Sequence, residues 1–361
     1  MRIRHWSLWL LTFTVLAACA VTTARKGGED ESGPYEVVPN WPQALHSDGW
    51  SWGSTAGIWA ESPDRVFVYG RGELPAAKGM PGTNALPTRP PATGGKPRWQ
   101  NCLMVFDRNG KLVESWRQHD DKFVRPHRVT INPYDPQRHI WLVDDGAHQI
   151  FKFTNDGSRL VMVLGEKGKP GNDPYHFNRP TDVAFLPNGD FYVSDGYVNT
   201  RVAKYDKDGK FLFEWGKPGK GRGEFNLVHS IAIDVDHGRV YVSDRSNSRI
   251  QVFDLAGRYV DEWNDIRSPF YVAMTKDGHV AVSDGMTQKL LKYDTAGRLL
   301  SGWGTFGAYP GQLWGVHQMS VDSEGNLYVA EVFNGRPQKF RPKPDADRNQ
   351  LFGQLVHSLT R

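Results

Sequence analysis

Five times along this chain a β-prone run ends in the same way, with two small or branched residues and then a carboxylate. The copies are Leu142-Val143-Asp144, Val193-Ser194-Asp195, Val242-Ser243-Asp244, Val282-Ser283-Asp284 and Val329-Ala330-Glu331. A signature that returns every 40–50 residues or so constrains the fold more than any other feature. A unit of that size cannot bury its apolar face alone and must pack against copies of itself.

The unit is clearest in two consecutive copies, residues 179–216 and 228–264. In each, short alternating runs rich in Val, Ile, Phe and Tyr are divided by glycine turns at Asn188-Gly189, Asp208-Gly209, His237-Gly238 and Ala256-Gly257. That pattern predicts an antiparallel meander of about four strands. Further copies start at Arg125, Ser268 and Val316. A first copy opens near Thr55 and resumes at residues 101–116, after a Pro/Gly-rich insertion at 73–99 that is too poor in apolar residues to fold alone. Six such units predict an all-β protein, a six-bladed β-propeller, with residues 35–38 able to complete the last blade from the N-terminal side.

The N-terminus reads as a targeting segment. Arg2 and Arg4 precede an apolar run at 8–18 that is too short to span a membrane, and Leu16-Ala17-Ala18-Cys19 has the form of a bacterial lipobox. The expected organisation is a lipoprotein-type signal at 1–18, a flexible tether at 19–34 and the propeller at 35–361. The expected location is outside the cytoplasm, periplasm-facing or on the cell surface, anchored through Cys19. Loss of Arg2 and Arg4 with the signal lowers the formal charge from +4 to +2, which leaves no electrostatic footprint for nucleic acid. The remaining cysteine, Cys102, reads as a small packed residue. A propeller that closes on itself has no free edge forcing association, so a monomer is expected.

In a blade, the start of the innermost strand and the end of the second strand both face the top of the central channel. At the first of these positions the six units carry Ala56, His127, Thr181, His229, Phe270 and His317. Histidine therefore occupies every second blade, about 120° apart in a sixfold ring, and three imidazoles converge on the axis. Three neutral nitrogens with one open position form the ligand set of a catalytic zinc. The second position supplies Arg71, Tyr197 and Arg245: two guanidiniums able to grip a carboxylate and a phenol able to exchange a proton.

At these residues the chain resembles the peptidyl-α-hydroxyglycine α-amidating lyases, a branch of the NHL-repeat propellers. The likeness is carried by Arg71-Gly72, Pro126-His127, Ser194-Asp195-Gly196-Tyr197, His229-Ser230 and Ser243-Asp244-Arg245, and it extends over residues 57–340. It implies zinc on His127, His229 and His317, Tyr197 as catalytic base, and Arg71 and Arg245 around the substrate. The implied reaction cleaves an N-(α-hydroxyglycyl) peptide to a peptide amide and glyoxylate. The substrate's peptide side would meet loops 73–99 and 166–178. The resemblance also implies a calcium on the backbone carbonyls of Ile58 and Val129, although Gln318 stands where the family has an aspartate. Val198 and Tyr241 stand where animal members have disulfide cysteines, so the loops are expected to be held by packing alone. Two other readings stay open. A non-catalytic scaffold binding a protein or glycan predicts that the histidines hold no metal, and a calcium-dependent lactonase wants a channel lined by Asp, Glu and Asn.

Overall fold

The computed structural model describes residues 33–43, 50–75 and 98–356. Cys19, the signal and all of the tether before Gly33 lie outside the described residues, as do 76–97 of the insertion. Six four-stranded antiparallel sheets form the molecule. Their innermost strands are Thr55–Ser62, Pro126–Ile131, Pro180–Phe185, Val228–Asp234, Pro269–Met274 and Val316–Val321, in blades 1 to 6. Each packs against the innermost strands of both adjacent blades, so the ring is closed. Tyr35–Val37 pairs antiparallel with Arg336–Pro342 and supplies the fourth strand of blade 6, which is the clasp expected from residues 35–38.

The strand-ending carboxylate explains its own recurrence. It turns back to accept backbone N–H groups from the loop that enters its own blade. Asp144 takes those of Val124 and Arg125, Asp195 that of Asn178, Asp244 that of Asn226, Asp284 those of Arg267 and Ser268, and Glu331 that of Trp314. Buried loop donors are thereby satisfied without solvent. In blades 3, 4 and 6 the same carboxylate also receives the Nε–H of Arg201, Arg249 or Arg336 from the third strand. Burial dominates even so: it raises Asp195 to about 6 and holds Glu331 above the usual carboxylate range.

Blades lock to one another through a second repeated contact. Trp116, Trp215 and Trp263 close the outer edges of blades 1, 3 and 4, and each lies against a turn glycine of the following unit. The pairs are Trp116 with Gly157, Trp215 with Gly257 and Trp263 with Gly297. All three glycines have positive φ, between +69° and +83°, and a Cβ on any of them would fall within 2.8 Å of the indole. At blade 6 the clasp reproduces the joint: Trp303 meets Gly33, and the Tyr35 ring lies tilted against the indole with ring centroids 5.5 Å apart.

The periphery is tied down at two places. Loop 73–99 is pinned at its base, where Glu73 and Arg98 exchange backbone hydrogen bonds at 3.0 Å and pair through their side chains. The tail after Pro342, irregular in pattern, runs back to blade 5, where Val356 N–H donates to Met274 O and Lys276 N–H to Gln354 O. Cys102 is a buried free thiol, as its packed reading predicts.

Candidate metal centre

All six innermost strands carry a β-bulge at the same place. The register slips between Thr55 and Gly57, Pro126 and Arg128, Pro180 and Asp182, Val228 and Ser230, Pro269 and Tyr271, and Val316 and Gln318. The residue left over is Ala56, His127, Thr181, His229, Phe270 or His317. A bulge re-aims one side chain out of the pleat and frees its backbone from the ladder. Here it points three imidazoles at the channel axis.

Those freed carbonyls then fix the rings. His127 Nδ1 donates to Thr181 O at 2.6 Å, His229 Nδ1 to Phe270 O at 2.6 Å, and His317 Nδ1 to Ala56 O at 2.9 Å. Each histidine is thus oriented by the bulge of the next blade, which sets the tautomer and leaves Nε2 as the inward-facing lone pair. The three imidazoles are buried, with ring centroids 4.4, 4.8 and 5.0 Å apart and one ligand atom from each within 4.8 Å of the others. Burial, reinforced by nearby positive charge, holds all three well below the usual histidine range, which favours the neutral imidazole that a metal would require. His317 Nε2 is buried and has no hydrogen-bond partner among the described residues. An orphaned acceptor of this kind is costly unless something electropositive meets it. The donor set fits a zinc-type ion with one position open.

Tyr197 closes the fourth side. Its hydroxyl lies 3.2 Å from His127 Nε2 and 3.0 Å from His229 Nε2. The loop that delivers it is one residue longer than in blades 2, 4, 5 and 6, and the extra residue is Gly196. A Cβ there would sit 1.7 Å from Val228 O. Only glycine lets the backbone run this close to blade 4 while the tyrosine turns inward. Hydrogen bonds, rather than packing alone, hold the loop: Asn199 Nδ2 donates to Asp195 and to Gly171 O, and Tyr197 N–H to Arg179 O. Val198, at the tip, is exposed, and Tyr241 is buried against Trp263.

Arg71 and Arg245 flank the same opening. Arg71 donates from Nε to Pro126 O, the residue before His127, and is pushed down to about 10 by burial and by Arg125. The Arg245 guanidinium lies over Phe270 at 4.6 Å and 5.8 Å from the Tyr197 ring. All three predicted rim residues are therefore brought to one mouth. Two more arginines, missed in the sequence, join them: Arg179 lies over the Tyr197 ring at 4.5 Å and Arg125 at 5.2 Å. Both bind Asp145, a buried carboxylate that follows Asp144. Their signal was present. Arg125 and Arg179 stand two residues ahead of the bulge in consecutive blades, each followed by proline.

The calcium implied at Ile58 and Val129 meets different chemistry. Gln318 Oε1 accepts the N–H groups of Ile58 and Val129 at 3.1 and 3.4 Å, and its Nε2 donates to Val129 O at 2.7 Å. One expected ligand carbonyl is thus taken by an amide donor, and a neutral amide replaces the carboxylate. Beside it lies the buried guanidinium of Arg128, bonded to His317 O and paired with Asp182. A hard cation that needs several free oxygens does not fit this layer. The internal cation there is Arg128.

A family model, DUF5128, described as a 6-bladed beta-propeller, matches residues 172–276. Peptidyl-alpha-hydroxyglycine alpha-amidating lyase 1 of Drosophila melanogaster is 37% identical over 124 residues, 34% of this chain and 22% of that protein. The probable peptidyl-alpha-hydroxyglycine alpha-amidating lyase pgal-1 of Caenorhabditis elegans is 39% identical over 110 residues, 30% of each chain. The chain therefore matches less than a third of the length of either relative. Among solved structures, a streptogramin B lyase superposes with a TM-score of 0.51 at 13% identity, covering 83% of this chain and 96% of that one. A protein of unknown function from Bacteroides thetaiotaomicron reaches 0.55 at 13% identity, over 80% of this chain and 69% of its own. At such identity the structural likeness is one of fold.

Proposed function

We propose that this chain is a zinc-dependent lyase acting on an N-acyl-α-hydroxyglycine, releasing the amide and glyoxylate. The observation that carries the reading is the placement of the Tyr197 hydroxyl within hydrogen-bond distance of two of the three inward imidazole nitrogens. A base and a metal set would then share one reactive point. Partial similarity to lyases named for this chemistry supports the same class.

His127, His229 and His317 would hold the zinc, which supplies Lewis acidity that makes a bound hydroxyl easier to deprotonate. Arg71 and Arg245 bind and orient the carboxylate of the hydroxyglycine unit. Tyr197, acting as its phenolate, accepts the proton of the α-hydroxyl and becomes the neutral phenol. As the C–O bond becomes the aldehyde carbonyl, the C–N bond breaks and its electron pair passes to nitrogen. Tyr197 then returns the same proton to that nitrogen, so the amide leaves neutral and no other reactant is needed.

The test is glyoxylate release from a small N-acyl-α-hydroxyglycine, with and without a chelator, beside Tyr197→Phe. The expected result is chelator-sensitive release that falls at least about 100-fold in the variant while its zinc content is unchanged. Equal release by the variant would remove Tyr197 from the chemistry. A protein that neither binds zinc nor releases glyoxylate would favour a surface scaffold.

A further inference from the structure

The mouth of the channel holds more positive charge than one substrate carboxylate can use. Arg71, Arg125, Arg179 and Arg245 converge on it, and among the described residues the carboxylate in an ion pair with any of them is Asp145. Asp144 lies behind, but its oxygens are filled by the backbone N–H groups of Val124, Arg125 and Ala147. Positive charge exceeds negative even when both aspartates are counted.

The four arginines fall into two kinds. Arg71 and Arg245 come from the position after a second strand and face the reactive point. Arg125 and Arg179 come from the position two residues before a bulge, in adjacent blades, and are fixed as a pair. Asp145 Oδ2 receives Nη1 of Arg125 together with Nε and Nη2 of Arg179, the latter at 2.9 and 2.6 Å. Asp145 itself is fully buried, while the two arginine side chains remain 34% and 33% exposed. A guanidinium has five N–H donors, so this arrangement spends part of each fork on the anchor and leaves the rest toward the opening. It also removes the conformational entropy that binding would otherwise cost these side chains.

We propose that Arg125 and Arg179, held by Asp145, form a second anion subsite beside Tyr197, and that the substrate carries a second carboxylate on its acyl portion. This rests on the lyase reading for the identity of the first carboxylate. The subsite selects among acyl groups and takes no part in the proton transfer.

The test uses the zinc-loaded protein and two inert ligands, the dianion N-succinylglycine and N-succinamoylglycine, a monoanion whose acyl-end carboxylate is replaced by a neutral amide, followed by calorimetry. The dianion is expected to bind about tenfold more tightly, and that ratio is expected to shrink to within about twofold in the Arg125→Gln/Arg179→Gln variant. Equal affinities in the unmodified protein, or a ratio that survives the double substitution, would overturn the subsite. Turnover of the two α-hydroxylated counterparts is read in parallel. A binding gap without turnover keeps the subsite and sinks the lyase reading. Turnover without a gap does the reverse. If the variant loses turnover of both compounds equally while the affinity ratio stays, the arginine pair positions Tyr197 and is not a subsite.

Discussion

At the scale of single residues, the least conspicuous one near the candidate metal centre is Gly196. It is the one residue by which the blade 3 loop exceeds its counterparts, and its missing side chain lets Tyr197 lie across the tripod. Gly196→Ala must move either Val228 or the tyrosine, and a shift of about 1 Å at a reacting group costs roughly 100-fold. The expected outcome is a fall in kcat/KM of at least about tenfold with zinc content intact; an active Ala variant would show that Tyr197 does not need this path. The histidines and Tyr197 were legible in the sequence because they fall on repeat positions. Arg125 and Arg179 were not legible as rim residues, since they precede the proline that starts the innermost strand and only the fold brings that position to the same rim. In every blade those rim positions are joined: the residue after the second strand, or in blade 3 the one after the extra Gly196, donates its backbone N–H to the carbonyl two residues before the bulge, as in Arg71 to Ser54, Tyr197 to Arg179 and Arg245 to Leu227. Gln318 could be seen to break the calcium pattern, but only the contacts reveal that its amide spans Ile58 and Val129.

At the scale of elements, the joint between blades is a tryptophan set into a turn with no side chain. Gly297 combines a φ of +83° with an ideal Cβ position 2.3 Å from Trp263 Nε1. Gly297→Ala therefore meets both backbone strain and overpacking and should destabilise the protein by about 1–3 kcal/mol, read as a lower midpoint in chemical denaturation. Gly238→Ala is the control: it has positive φ but open space around its Cβ, so it should cost less. A larger loss at Gly238 would mean that the indole contact is unimportant. The meander and the turns were readable because Asn-Gly, Asp-Gly and Ala-Gly pairs declare them. The bulges were not, because a one-residue slip leaves no mark in the alternation of a strand that is buried on both faces.

At the scale of the whole molecule, a ring of blades is as stable as its weakest closure. Tyr35 carries much of that closure: it is buried, its hydroxyl accepts the N–H of Phe352 at 2.8 Å, and its ring lies against Trp303 and Phe352. Tyr35→Ala should cost about 3–5 kcal/mol, and hydrogen exchange should show the loss of protection concentrated in blades 6 and 5, where clasp and tail meet. Uniform protection would place the closure elsewhere. The number of blades was visible from the period, and the clasp was suggested by the need to close the ring and a strand candidate at 35–38; the return of the tail to blade 5 was not legible, since buried Phe352 and Leu355 and the Lys292 ammonium that donates to Asn349 O and Leu351 O belong to no repeat.

The bulge shared by all six innermost strands makes the channel a set of identical sockets, and the blade owns the socket whatever side chain fills it. Ala56, Thr181 and Phe270 sit in sockets built like those of the three histidines. Chemistry at the axis can therefore be written, erased or rotated by one step round the ring through single-residue edits, while the sheets that bear the load are left untouched.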